Sequence, residues 1–266
     1  GTGGFASGPL LYAASRKGIP SVIQEQNSYP GITNKLLAKS VHKICVAYDN
    51  MERFFPKEKL IFTGNPIRKE ILDFLDKREE GKNLFGLHNE RITVLVVGGS
   101  LGAKTINESI NNNLEEFKKE QLNLIWQTGV SYENQAEESV KSINESGIKS
   151  YKFIKKMDLA YAAADIIVSR AGAIAISELC YVGKPVILVP SPNVAEDHQT
   201  QNAQSLVNKN SALMVKDVES RRKLVEEIKS LSRNKDLKKE LSRNIKKLAV
   251  KDAADRIVDL SLELVK

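Results

Sequence analysis

Residues 169–202 read SRAGAIAISELCYVGKPVILVPSPNVAEDHQTQN. They pass from a strand end through a turn at Ala171-Gly172 into a short helix with one acid, Glu178, among Ile174, Ile176, Leu179 and Cys180. A second apolar strand at 186–189 follows, and then a loop crowded with amides and acids: Asp197, His198, Gln199 and Asn202. Strand, helix and strand in that order belong to a parallel sheet. In doubly wound sheets ligands bind beyond the C-terminal strand ends, which is where this polar chemistry falls. A carboxylate there can accept both hydroxyls of a ribose through charge-assisted hydrogen bonds, although an exposed helix acid is the plainer role for a Glu. The loop amides suit the hydroxyls and acetamido group of a sugar, and Glu196 or Asp197 can cap the next helix as well. The stretch reads as a grip on a nucleotide-sugar.

The same alternation extends to both sides. A strong strand at 92–97 opens a series continued by strands at 122–126, 152–154, 166–169 and 212–215, with helices between and three Lys-rich helical segments at the end. Earlier in the chain, strands at 21–24, 43–47 and 60–63 alternate with helices at 9–17, 32–39 and 68–77. The charged, Gly-bearing segment KREEGKNLFGLHNE at 77–90 reads as the linker between the two series. The fold class expected is α/β, with two Rossmann-like, doubly wound parallel-sheet lobes and a cleft between them. Residues 1–76 form one lobe and 91–245 the other, and a C-terminal helix at 246–266 packs back towards the first lobe. The Gly-rich start GTGGFASGP follows no strand and three strands are few for a lobe, so the first lobe is expected to be incomplete.

Composition narrows the partners. The net charge of +7 comes from 40 basic and 33 acidic residues, with much of the excess in the C-terminal third. There Lys and Glu interleave at helical spacing, which marks solvated helix faces; attraction to phosphates or anionic lipid is the other use of such charge. A nucleic-acid partner is not expected. Cys45 and Cys180 lie in or beside apolar runs with no CxxC and no His at ligand spacing, so both read as buried free thiols and no metal site is expected. No apolar run approaches the roughly 20 residues that span a bilayer, and no signal peptide is recognisable, so the chain is expected to be soluble or peripheral to a membrane.

After the strand at 92–97 comes Gly98-Gly99-Ser100-Leu101-Gly102-Ala103 and then a helix from Lys104. Glycine permits tight turns, and the helix N-terminus offers free N–H groups to an anion. The GxGxxG pattern fails at Ser100 and Ala103, and GxxxxGK[ST] fails only at Ala103. A diphosphate held by Ser100 and backbone N–H groups fits better than either. Arg170 faces a phosphate or pairs with an acid. In the first lobe, Glu25-Gln26-Asn27 and Asn65-Pro66-Ile67-Arg68 follow strands. Arg68 either reaches a diphosphate across the cleft or lies on the surface.

The segments GGFASGP, IQEQNSYPGITNKLLAKS, FTGNPIR, VVGGSLGAKTIN, 169–184 and NVAEDHQTQNA, in this order, resemble the MurG family. These are bacterial GT-B glycosyltransferases that add N-acetylglucosamine to lipid I, making lipid II for peptidoglycan. The resemblance implies a donor, UDP-N-acetylglucosamine, held mainly by the second lobe, with no obligatory cofactor. Ser100 would lie at the diphosphate and Ile154 would give a backbone contact to uracil. Ala173, Ile174, Ala175, Ile176, Ser177 and Glu178 would surround the nucleoside, with Glu178 on the ribose. His198 and Gln199 would meet the sugar, and Asn27 and Arg68 would reach the donor from the first lobe. Gly3, Gly4, Ser7 and Gly8 would shape the acceptor side. The implied reaction is inverting, at the cytoplasmic face of the inner membrane, with lipid I as acceptor partner. The family's first Gly-rich loop carries a His expected to assist the acceptor, and none of His42, His88 and His198 stands in that context. The chain is therefore expected to bind UDP-sugar weakly and to transfer poorly or not at all, with the catalytic residue unassigned. A UDP-N-acetylglucosamine 2-epimerase, which would need acid/base carboxylates such as Glu25, and a binding module without catalysis are the other readings.

Overall fold

The computed structural model describes residues 1–265. In the first lobe, helix α1 (Gly4–Arg16), strand β1 (Val22–Glu25), α2 (Ile32–Leu37), β2 (Lys43–Val46), β3 (Leu60–Phe62) and the short α3 (Lys69–Leu72) follow one another. The strands pair in parallel in the order β1-β2-β3. Ile23, Ile44 and Val46 from the sheet meet Leu37, Val41, Met51 and Phe55 in a small core.

The second lobe comprises α4 (Arg78–Leu84), β4 (Thr93–Val97), α5 (Lys104–Asn111), α6 (Leu114–Lys119), β5 (Asn123–Gln127), α7 (Glu133–Ile143), β6 (Ile148–Tyr151), α8 (Met157–Ala163), β7 (Ile166–Ser169), α9 (Ala173–Val182), β8 (Val186–Leu188), α10 (His198–Val207), β9 (Leu213–Met214), α11 (Ser220–Arg233) and α12 (Lys235–Lys246). Strand β4, TVLVV, is apolar on both faces, and such a run is stable only at the centre of a parallel sheet covered on both sides. Val94, Leu95 and Val96 are wholly buried there. The six strands run in the order β6-β5-β4-β7-β8-β9, all parallel. The chain moves outward from β4 through β5 to β6 and then returns to β7 on the other side. Between β4 and β7 the order reverses, and the loops leaving their C-terminal ends diverge to open a crevice. The Gly-rich loop after β4 and the turn before α9 both leave from this point. Helix α13 (Ala253–Glu263) returns to the first lobe, where Ile257, Ser261 and Leu264 line a groove with Leu11, Val22 and Pro66.

Several elements differ from their sequence reading. Helix α1 starts at Gly4 and absorbs the Gly-rich start: the Ser7 hydroxyl donates to the Gly3 carbonyl at 2.6 Å, and Pro9 is carried inside the helix. Helix α3 stops at Leu72, well short of Lys77. Strand β6 covers Ile148–Tyr151 rather than 152–154, because Ile148 is the residue that buries against β5. As an edge strand β6 carries no apolar run, and the more hydrophobic residues after it belong to its C-terminal loop. The segment at 77–90, read as the linker, contains the helix α4. Within it α4 packs on α8, and the ammonium of buried Lys82 donates to the carbonyls of His88, Asn89 and Arg91. Burial lowers the Lys82 pKa from its ordinary value. Both cysteines are buried, and burial pushes the Cys180 thiol up to about 12. Among the described residues no helix is long and apolar enough to cross a membrane.

Gly81 makes the α4–α8 contact possible, since an added Cβ would stand 2.4 Å from the Leu159 carbonyl oxygen. In an open helix Gly→Ala stabilises by up to about 1 kcal/mol. Here Gly81→Ala is expected to lower the melting temperature. A temperature unchanged or raised would mean that α4 is not packed as described.

Candidate functional site

Glu178 lies on α9, whose first turns face the crevice and whose far side enters the core with Ile176, Leu179 and Cys180. Its side chain is 5% exposed. A carboxylate so buried needs partners, and it has them on both sides. From the first lobe the Arg68 guanidinium donates through Nε to Oε1 at 2.7 Å and through Nη2 to Oε2 at 2.8 Å. From within the second lobe the Tyr161 hydroxyl donates to Oε2 at 3.3 Å. The bond from Glu178 in turn raises the Arg68 pKa above its ordinary value. The bidentate fork is the geometry that Arg and a carboxylate prefer.

Amides join the lobes around this pair. Asn65, after β3, donates to the Gln26 carbonyl at 3.0 Å and to the Ser177 hydroxyl at 3.1 Å, while its oxygen accepts from Gln24 Nε2 at 2.8 Å. Ser177 itself donates to the Ala173 carbonyl at 3.1 Å. Asn202, on α10, is wholly buried. Its oxygen accepts from the Ser28 N–H and hydroxyl at 2.9 and 3.1 Å, and its nitrogen donates to Asn27 Oδ1 at 3.0 Å and to the Ala171 carbonyl at 3.3 Å. A primary amide has two donors and about two acceptor sites, so Asn202 has no capacity left for a sugar. It is a clasp between the lobes, which corrects its reading as a sugar-facing amide.

Asn27 is held from below by Glu25, whose Oε1 accepts from the Asn27 N–H at 3.0 Å and from Asn27 Nδ2 at 3.3 Å. Glu25 Oε2 accepts from the Gly31 N–H and Asn34 Nδ2 at 3.1 and 2.8 Å. With 3% exposure, Glu25 organises a loop. Gly3 caps and Gly4, Ser7 and Gly8 begin α1, which packs against α2, and a Cβ added at Gly3 would stand 3.5 Å from the Asn34 amide nitrogen.

On the second-lobe rim Ser100 is exposed in the loop after β4. Gly102 there has φ +81°, and an added Cβ would meet the Thr128 carbonyl oxygen at 2.2 Å. Gln127 ties this loop to the next: Nε2 donates to the Gly99 carbonyl at 3.1 Å and Oε1 accepts from the Ile154 N–H at 2.9 Å. With its N–H so engaged, Ile154 has its carbonyl to offer a ligand. Ala173, Ile174 and Ala175 are at least partly exposed at the start of α9, whereas Ile176 is core. His198 Nε2 lies 3.1 Å from Glu196 Oε2, and Gln199 Oε1 accepts from the Ser191 N–H at 2.9 Å. Glu196 and Asp197 hold φ of +54° and +51°, strained values for side-chain-bearing residues. Arg170 resolves to the acid: it pairs with Asp217 and donates to the Val189 and Pro190 carbonyls at 3.0 and 3.2 Å. Thr105, the hydroxyl that a P-loop would turn to a metal, bonds Asp217 instead.

The structure thus brings together Arg68 with Glu178, Ser177 with Asn65, Asn27 with Asn202, and the Ser100 loop with Ile154 through Gln127. Sequence reasoning missed Tyr161, Gln127 and the clasping role of Asn202. Gln127 stands at a strand C-terminus, a position that signals ligand-side chemistry. Tyr161 lies in MDLAYAA, where nothing local separates it from core.

Two parallel Rossmann-like sheets facing one another across their strand C-termini form the GT-B glycosyltransferase fold. Residues 93–257 match the glycosyltransferase family 28 C-terminal domain and residues 1–46 the family's N-terminal domain. The chain is 52% identical over 265 residues to the UDP-N-acetylglucosamine–N-acetylmuramyl-(pentapeptide) pyrophosphoryl-undecaprenol N-acetylglucosamine transferase of Parabacteroides distasonis, covering 100% of this chain and 72% of that protein. Among solved structures, MurG of Acinetobacter baumannii superposes with a TM-score of 0.79 at 30% identity, over 99% of this chain and 72% of that one. The chain belongs to the MurG family of N-acetylglucosaminyltransferases. The UDP-GlcNAc 2-epimerase of Neisseria meningitidis, solved bound to UDP-GlcNAc, shares the fold with a TM-score of 0.68 at 15% identity, over 97% of this chain and 73% of that one.

The clasp has a sharp test. Asn202→Asp keeps the acceptor for Ser28 but loses both donated bonds, and it sets a negative charge against two oxygens. Leaving buried polar groups unpaired costs about 1–3 kcal/mol each, so both Asn202→Asp and Asn202→Ala are expected to lower thermal stability markedly. If Asn202→Asp melts with the parent, the clasp does not join the lobes.

Proposed function

We propose that the chain transfers N-acetylglucosamine from UDP-N-acetylglucosamine to the C4 hydroxyl of the muramyl sugar of lipid I, giving lipid II for peptidoglycan. The observation that carries this is the 52% identity to a transferase of that name over the whole chain. The crevice supports it with a buried carboxylate midway along α9, the helix whose first turn would meet a nucleoside.

In this reading Glu178 accepts the two ribose hydroxyls. A carboxylate has about four acceptor sites, and three are spent on two bonds from Arg68 and one from Tyr161. Two hydroxyls therefore fit only if Arg68 yields. Once released, the guanidinium can turn to the diphosphate, where its charge is useful. Uracil takes the Ile154 carbonyl, and Ala173, Ile174, Ala175 and Ser177 line the nucleoside while Ile176 anchors the helix behind them. Ser100 and the N–H groups opening α5 face the diphosphate. His198 and Gln199, fixed by Glu196 and the Ser191 N–H, meet the sugar with Asn27 opposite. The acceptor's C4 oxygen bonds the anomeric carbon as that carbon's bond to the phosphate oxygen breaks; UDP departs with the electron pair and the hydroxyl proton passes to the solvent. Preorganised N–H groups and Arg68 stabilise the negative charge that develops on it. Gly3, Gly4, Ser7 and Gly8 lie on the acceptor side.

The epimerase reading needs a free carboxylate in the first lobe. Glu25, the candidate, has both oxygens engaged by four donors, which weighs against proton transfer by it. For the membrane surface, Phe5, Leu10, Tyr12, Ile32 and Leu36 stand exposed on α1 and α2, and the chain carries a net charge of +7. Exposed apolar side chains with positive charge suit the anionic inner face on which lipid I is presented.

Incubation with UDP-N-acetylglucosamine and a lipid I analogue in anionic vesicles is expected to give a lipid II-like product, if only slowly given that none of His42, His88 and His198 stands in the family's catalytic context, and epimerised sugar alone would contradict the reading. In calorimetry Glu178→Ala is expected to weaken UDP binding by about 10- to 100-fold, from the loss of hydrogen bonds to a charged group. Unchanged affinity would remove Glu178 from the ribose.

A further inference from the structure

Every residue of helix α8 except Asp158, which pairs with Lys77, is buried, and among those buried residues Tyr161 alone carries a polar side-chain group. Its neighbours Met157, Leu159, Ala160, Ala162 and Ala163 form core. A hydroxyl in such a place costs free energy unless it is bonded. That of Tyr161 reaches Glu178 Oε2 at 3.3 Å. Burial and the neighbouring Glu178 charge both raise the phenol's pKa well above its ordinary value, so the group stays a neutral donor.

The two partners of Glu178 differ in origin. Arg68 belongs to the first lobe, and its hold on Glu178 depends on how the lobes meet. Tyr161 belongs to the same lobe as Glu178 and travels with it. When ribose hydroxyls take the sites that Arg68 occupies, Tyr161 is the partner that remains.

We propose that Tyr161 is a positioning residue: its hydroxyl orients the Glu178 carboxylate towards the ribose and so sets the preference for a ribonucleotide over its 2′-deoxy counterpart. This rests on the reading of Glu178 as the ribose acceptor. Tyr161 touches no substrate atom and acts through the carboxylate.

The test is the ratio of affinities for UDP and 2′-deoxy-UDP, measured by calorimetry on the full chain and on Tyr161→Phe. The parent is expected to prefer UDP, and Tyr161→Phe to lose about 5- to 10-fold of that preference, as for the net contribution of one ordinary hydrogen bond acting through the carboxylate. A variant that binds both ligands more weakly while keeping the ratio would overturn the inference, because that pattern marks a merely structural tyrosine. A parent with no preference would instead overturn the assignment of Glu178 to the ribose. Should Tyr161→Phe not fold, 4-fluorophenylalanine at 161 fills the hydroxyl's space without its donor, and the same ratio decides.

Discussion

Glu178 keeps its carboxylate in a place where water reaches little of it, with 5% of the side chain exposed. Removing a carboxylate from water costs several kcal/mol even after the protein relaxes, so the site cannot hold an isolated charge. The fold answers from two directions: a guanidinium from the first lobe and a phenol from the second. Because one of those partners comes from across the cleft, the electrostatics around Glu178 and the relative position of the lobes are a single problem. Arg68 is about half exposed, so it can leave for another anion without being stranded in a dry interior.

The remaining contacts across the cleft are mostly neutral. Asn65 and Asn202 join loop carbonyls, a serine and an asparagine of one lobe to α9 and α10 of the other. Neutral amides exchange partners at less cost than buried ion pairs, and each bond adds only about 1 kcal/mol net. A lobe interface built in this way can be specific in its geometry without being rigid. Besides the more exposed Lys209–Asp49 pair at 2.8 Å, its charged link is Arg68–Glu178, the pair that the proposed donor would separate.

Much of the architecture was legible in the chain. The apolar runs that became β4, β7 and β8, the Gly-rich loop that opens α5 at Lys104, and the short helix bearing Glu178 all follow from local pattern. What escaped was set by tertiary contact. The charges in KREEGKNLFGLHNE look solvated, yet Lys82 is buried among carbonyls that the folded loop after α4 brings around it. Strand β6 is short and half-exposed at the sheet edge, so its neighbours outweigh it in hydrophobicity. Within the site, Glu178 stood out because an acid among apolar residues is conspicuous, and Arg68 stood out as a cation after a strand. Their pairing joins residues 110 positions apart, and no local spacing encodes that. Tyr161 was invisible because a tyrosine in an apolar helix looks the same whether its hydroxyl meets water or a carboxylate.

On the function proposed, the donor separates Arg68 from Glu178 and takes both. A crystal structure of the chain with UDP-N-acetylglucosamine bound examines this directly. The ribose hydroxyls are expected on Glu178, with Tyr161 still on the carboxylate and the Arg68 guanidinium turned to the diphosphate. A nucleotide bound elsewhere, or bound in the crevice with the Arg68–Glu178 fork intact, would contradict it.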